Sequence, residues 1–224
     1  MPTIRQQGIM DGMEITRFGH AAILVETEGI RILIDPGVFS IADVFELTGL
    51  DAIIVTHQHA DHLDLERFPQ LFRANPDAAL LCDPQTAHLS DYPWRVHQAG
   101  DETRFGPVSV QGVGGRHAVI TEDLEPVANV GVVIHAPDDV RLFHPGDSYD
   151  DVPSDIDVLA LPLSAPWAKI AETAEFVRDV GAAEVFYIHD CTIAERAYDI
   201  YAGHVRRFAN GRVHALEQHD TLTV

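Results

Sequence analysis

Short apolar runs alternating with turn residues dominate the first third of the chain. Met13–Phe18, Ala21–Glu26 and Arg31–Ile34 are predicted strands, the last two joined by a turn at Glu28-Gly29. Asp51–Thr56 is a continuous apolar run of the buried-strand kind, and it leads directly into HQHADH. Helical spacing follows: Leu65, Phe68, Leu71 and Phe72 share one face, and Asn75-Pro76 closes that segment. Ala78–Cys82 is predicted as a strand and Gln85–Ser90 as a short helix. The middle is strand-rich, with Glu102–Phe105, Val108–Val113, Asn129–Ala136 and Val140–His144, and turns at Gly106-Pro107 and Pro137-Asp138-Asp139. Then come a strand over Val158–Leu163, a helix over Ile170–Val180, a strand over Glu184–Ile188, a helix over Ile193–Phe208 and a strand over Arg212–Leu216. Strand meanders interleaved with αβ units predict an α/β sandwich with mixed sheets. No linker or composition break divides the chain, so residues 1–224 are expected to form one domain. A faint duplication shows as two strands running into acidic loops (ILIDPG and LFHPGDS) and two buried strands ending in His (IIVTH and VFYIH).

Composition narrows the function classes. The chain has 224 residues, 46% of them hydrophobic, which is enough to bury a sizeable core. A formal charge of −20 argues against nucleic-acid or anionic-membrane partners, which require clustered Lys and Arg. No apolar run approaches the ~20 residues that span a bilayer, and the first residues lack the apolar core of a signal peptide. Cys82 and Cys191 are too few for a disulfide framework and are expected to be buried thiols, so a cytoplasmic location is expected. The unusual count is histidine: 13, against 15 Lys and Arg together.

The sharpest motif is His57-Gln58-His59-Ala60-Asp61-His62, four metal-capable side chains in six residues just after a buried strand. A loop there can aim the imidazoles at i and i+2 at one point, and the carboxylate and imidazole at i+4 and i+5 at a second. That suits two adjacent cations with nitrogen and oxygen ligands. Other candidates follow: Asp35 in ILIDPG, His117 after the glycines at 114 and 115, Asp147 in HPGDS, and His189 ending the apolar run VFYI, a poor core residue without a partner. Cys191 fits a small buried hydrophobe better than a ligand. His88, His97, His135, His144, His204, His214 and His219 are expected on the surface or on helices. Trp94 and Trp167 fit either packing or a pocket mouth.

This order of motifs resembles the metallo-β-lactamase fold superfamily from about Gly19 to His189, and within it the zinc-dependent hydrolases related to ascorbate-6-phosphate lactonase. The resemblance implies a four-layer αβ/βα sandwich of two mixed β-sheets with metals at one sheet edge. It also implies that His57, His59 and His117 hold one metal and Asp61, His62 and His189 the other, with Asp147 bridging. Asp35 would orient a ligand, and His20 in FGHAA would lie near the site. The function expected is a metal-dependent hydrolase in which a hydroxide bridging two ions attacks a small ester, lactone, amide or phosphoester, with Asp61 as proton shuttle. All-nitrogen-and-oxygen ligation admits Zn²⁺, Mn²⁺, Fe²⁺ or Ni²⁺, with zinc favoured. Arg116 and Lys169 are candidates to meet an anionic group of a small-molecule substrate. Two other readings compete. A redox di-iron protein on the same fold usually has a carboxylate where this chain has His59. A non-catalytic metal-binding or sensor module usually lacks some ligands, and here all seven positions are filled.

Overall fold

The computed structural model describes residues 12–136 and 140–224. In chain order the elements are β1 (Glu14–Arg17), β2 (Ile23–Thr27), β3 (Ile30–Ile34), β4 (Ala52–Val55), α1 (Phe68–Ala74), β5 (Ala79–Cys82) and β6 (Arg95–Val96). They continue with β7 (Glu102–Phe105), β8 (Val108–Val113), β9 (Gly131–His135), β10 (Arg141–His144), β11 (Val158–Pro162), α2 (Ile170–Val180), β12 (Glu184–Ile188), α3 (Tyr198–Phe208), β13 (Arg212–His214) and β14 (Thr221–Thr223). Among the described residues the strands form two seven-stranded sheets, ordered β14-β1-β2-β3-β4-β5-β6 and β7-β8-β9-β10-β11-β12-β13. In each, the first four strands pair antiparallel and the last four parallel.

Side-chain alternation explains the layers. In β4, Ala52 and Ile54 point into a core shared by both sheets, where Ile34, Ile134, Ala160 and Phe186 also sit. Ile53 and Val55 face the other way and meet Phe68 and Leu71 of α1. On the second sheet, Leu159, Leu161 and Tyr187 face outward against Phe176 and Val177 of α2 and Ala202 and Val205 of α3. One apolar layer between the sheets and one on each outer face make the αβ/βα sandwich that the family resemblance implies. No helix among the described residues is long and apolar enough to cross a membrane.

The duplication is real in topology, with one register corrected. Listing the sheets from their antiparallel edges matches β3 with β10, so the acidic loops after them correspond. The two strands ending in His do not. IIVTH lies on β4, whose counterpart is β11, whereas VFYIH is β12, whose counterpart is β5. His189 therefore occupies the place that Asp83 takes in the first half.

Other expectations also change. The helix begins at Phe68 rather than Leu65, because Asp64 Oδ1 accepts from the N–H groups of Glu66 and Arg67 and forms a turn there, leaving Leu65 exposed. Gln85–Ser90 holds only a 3₁₀ turn over Thr86–His88, and the long third helix splits at Tyr198. Three elements had no sequence signal: a 3₁₀ turn over Ala42–Glu46, β6 and β14. The turn at Pro137-Asp138-Asp139 lies outside the described residues.

Candidate metal centre

Parallel strands β3, β4 and β5 in one sheet, and β10, β11 and β12 in the other, all end at the same edge of the sandwich. Polar loops leave the carboxyl ends of such strands, where ligands of open α/β sheets sit. There β3 delivers Asp35, β4 the 57–62 loop, β10 Asp147 and β12 His189. The 57–62 loop is fixed from both sides. His59 O accepts from the N–H groups of His62 and Leu63, and Ala60 O accepts from Val38 N–H. Gly37 lies so close that a Cβ there would overlap the Asp61 carbonyl and the His62 nitrogen. Three residues at the site adopt left-handed backbone, His20 at φ 48°, Asp35 at φ 51° and His189 at φ 53°. That conformation costs a non-glycine residue roughly 1–2 kcal/mol. Such outliers concentrate where function requires a set geometry.

The seven side chains singled out from sequence converge here. His57, His59 and His117 place one ring nitrogen each within 4.8 Å of one another. Asp61, His62 and His189 form a second such group, which also takes in His20, and Asp147 meets His57 and His62 in a third. Asp147 lies between the sets: Oδ1 is 3.1 Å from His62 Nε2, and Oδ2 is 3.1 Å from His189 Nε2 and 3.4 Å from His117 Nε2.

Partners on the far side of the rings decide which nitrogen faces inward. His117 Nδ1 donates to Ala118 O at 2.6 Å and His189 Nδ1 to Ser164 O at 2.8 Å, which leaves both Nε2 atoms without a proton in the neutral ring. Asp35 acts on two rings at once. Its Oδ1 accepts from Thr56 N–H at 2.8 Å. Its Oδ2 accepts from the Thr56 hydroxyl at 2.7 Å and from His62 Nδ1 at 2.6 Å. Having given its proton to Asp35, the Thr56 hydroxyl can only accept from His57 Nδ1, 3.1 Å away. One buried carboxylate thus sets the tautomer of His57 and of His62. The inward atoms His62 Nε2, His117 Nε2, His189 Nε2 and Asp147 Oδ1 are buried, close together, and have no aligned hydrogen-bond partner. They point at shared space rather than at each other. Buried polar atoms in that state call for a ligand, and a divalent cation fits this donor set.

Burial pushes His57 and His59 below the ordinary imidazole range. Burial also works against charge on His62 and His189, but Asp147 beside both, together with Asp35 beside His62, outweighs it. His62 is raised well above its ordinary value, and His189 is pushed up to about 9. Burial would likewise raise the two carboxylates; instead His62 and His189 hold Asp147, and His189 and His20 hold Asp61, below the usual carboxylate range.

His20 sits where expected, with Nε2 3.2 Å from Asp61 Oδ2, its ring 4.0 Å from that of His189, and its carbonyl accepting from His189 N–H. Cys191, expected to be buried, is exposed. His97 and His144, expected outside, are buried. His144 Nε2 lies 3.9 Å from Asp35 Oδ2, and its ring is satisfied by main chain at both nitrogens, Ala21 O and Gly146 N–H. Trp94 packs on Phe68, whereas Trp167 Nε1 donates to Asp147 Oδ2 at 2.8 Å. A cavity of about 570 Å³ opens beside His117, walled by Arg116, Tyr149, Trp167, Lys169 and Glu172.

Two mixed sheets with a His- and Asp-lined cleft at their shared edge define a metallo-β-lactamase fold protein. The chain matches the Beta-lactamase superfamily domain over residues 14–189 and belongs to that superfamily. It is similar to Protein Rv0786c of Mycobacterium tuberculosis, with 39% identity over 213 residues, covering 94% of this chain and 100% of that one. It is also similar to the UPF0173 metal-dependent hydrolase YtkL of Bacillus subtilis, with 25% identity over 196 residues, covering 79% of this chain and 85% of the other. In fold it resembles the metallo-beta-lactamase fold protein YhfI of Bacillus subtilis (TM-score 0.75, 17% identity, 96% of this chain and 100% of that one).

Proposed function

We propose that this protein is a metal-dependent hydrolase of small esters, lactones, amides or phosphoesters, with two divalent ions, best suited to be zinc, held by one domain. The observation that carries this reading is the set of bare inward nitrogens with their tautomers fixed from outside. By their grouping, His57, His59 and His117 would hold one ion and Asp61, His62 and His189 the other, with Asp147 between them. The ions would supply Lewis acidity, polarising the bond to be cleaved and lowering the pKa of water from 15.7 to about 7.

The remaining work falls to the chain's own groups. Asp35, Ala118 O and Ser164 O hold the outer protons of the rings, so that in the neutral imidazoles the inward nitrogens are the ones free to bind a cation. Asp147 is almost fully buried, its side chain 4% exposed. Asp61 has a side chain 25% exposed, so it is the carboxylate that can pass a proton between substrate and solvent. The cavity beside His117 has room for a small molecule. Arg116 and Lys169 on its wall can meet an anionic group, although Lys169 Nζ also lies 3.3 Å from Glu172 Oε1.

The test is elemental analysis of protein purified without chelators, followed by a panel of lactone, thioester and phosphodiester substrates. About two ions per chain and turnover that EDTA removes and zinc restores are expected. Hydrolysis by metal-free protein would overturn the reading. Two bound ions with no turnover on any member of the panel would favour the sensor module, and bound iron with oxidative turnover the redox one.

A further inference from the structure

We propose that Trp167 is a positioning residue for this centre: its indole N–H locks the rotation of the Asp147 carboxylate so that Oδ1 faces His62 while Oδ2 lies between His189 and His117. The inference rests on the metal reading above and adds to it a residue outside the ligand set.

The main chain at Asp147 is pinned, its N–H donating to Asn129 Oδ1 at 2.9 Å and its carbonyl accepting from Ala118 N–H at 2.8 Å. That fixes where the side chain starts but not the rotation of the carboxylate plane. The indole does so by donating to Oδ2 at 2.8 Å from a ring only 8% exposed. Indole is a donor only and does not titrate, so this bond keeps its sense whatever the protonation of the imidazoles. It occupies one lone pair of Oδ2, the oxygen nearest His189 and His117. Oδ1, beside His62, is left with no hydrogen-bond partner and is the stronger donor to an ion.

The ring itself is held from behind. Trp167 meets Tyr149 edge-on, with centroids 4.9 Å apart, and Tyr149 stacks on Phe176 at 4.7 Å. The Tyr149 hydroxyl donates to Pro162 O at 2.6 Å, which anchors that wall to the end of β11. On its other side the indole approaches the rings of His117 at 6.0 Å and His189 at 6.2 Å, one from each ligand group. Groups that orient ligands in this way typically contribute about 10–100-fold to metal affinity.

The experiment is a zinc titration against a chromophoric chelator for wild type, Trp167→Phe and Trp94→Phe, with tryptophan emission recorded in parallel. Phe keeps an aromatic ring in the slot and removes the indole N–H together with the five-membered ring that carries it. Trp167→Phe should retain the wild-type circular dichroism, take its first equivalent of zinc as wild type does, and bind the second at least ~10-fold more weakly. In Trp94→Phe, where Trp167 is the one indole left, emission should change as zinc binds; in Trp167→Phe it should not. Two equivalents bound by Trp167→Phe with wild-type affinity, or no zinc response in Trp94→Phe, would overturn the proposal. Should Trp167→Phe fail to fold, the emission of Trp94→Phe decides. A wild type that takes up no zinc would overturn the metal reading itself and this inference with it.

Discussion

Asp35→Asn is the most informative single change, because it keeps shape while removing one buried negative charge and changing where protons sit. Thr56 N–H must donate, so the new carbonyl oxygen is drawn to the place of Oδ1. The amide NH₂ then lies where Oδ2 was, facing the Thr56 hydroxyl and His62 Nδ1, which previously donated to it at 2.7 and 2.6 Å. Both must become acceptors. The Thr56 proton turns toward His57 Nδ1, and His57 and His62 now carry their protons on Nε2, the nitrogens that face the centre. Three hydrogen bonds to a charged acceptor, about 1.5–3 kcal/mol each, become neutral ones of about 0.5–1.5 kcal/mol, a net loss of about 3–4.5 kcal/mol. For a chain of this size that lowers Tm by roughly 6–18 °C. Because the two imidazoles belong to different ligand groups, zinc affinity should fall about 10–100-fold at both sites. Thr56→Val should weaken only the His57 group. Chelator competition measures the affinities, and thermal melting followed by circular dichroism measures the stability. Asp35→Asn binding both ions as tightly as wild type would refute the tautomer argument.

Three further outcomes are expected. Gly37→Ala drives a Cβ into the Asp61 carbonyl and should lower zinc affinity and any hydrolysis more than tenfold. Gly203→Ala, on α3 with open space around it, should instead raise stability by about 0.5–1 kcal/mol in a denaturant melt. Asp147→Ala should fold, bind about one ion instead of two by elemental analysis, and lose most turnover; retention of both ions would show that Asp147 does not hold them together. Zinc must displace the protons held on His62 and His189, so affinity should rise with pH until about 9, where His189 titrates, and loading at pH 7.5 should release up to about two protons. Calorimetry in buffers of different ionisation enthalpy counts them, and a count of zero would refute the pKa directions.

Most of the site was legible because its residues end apolar strands, and a polar ring or carboxylate in that position has few structural uses. Hydrophobic patterning also found β7, β8, α2 and β12 to the residue: β7 and β8 alternate, α2 repeats with the helical period, and β12 is an apolar run. What escaped depends on partners distant in sequence. β6 is two exposed residues that are a strand only because Leu81 and Cys82 lie beside them, and β14 exists only against β1. His144 resembled a surface residue because a buried imidazole needs partners at both nitrogens, and neither Ala21 O nor Gly146 N–H announces itself in sequence. The same holds for Trp167, whose role is set by a carboxylate twenty residues earlier in the chain. The second pairing of the duplication failed because a buried run ending in His marks the end of a strand, not its place in a sheet.

The two matched halves contribute to the centre unequally. The first supplies His57, His59, Asp61 and His62 from one loop clamped by Gly37, so any change of its backbone moves four donors together. The second supplies His117, Asp147 and His189 from three separate loops, the first two tied together by the Ala118 N–H to Asp147 O bond. As an engineering substrate the protein is therefore lopsided. The first half behaves as an indivisible cassette, to be kept or replaced whole. New pocket shapes are better sought by redrawing the segments around His117 and Asp147 as a pair and the one around His189 separately.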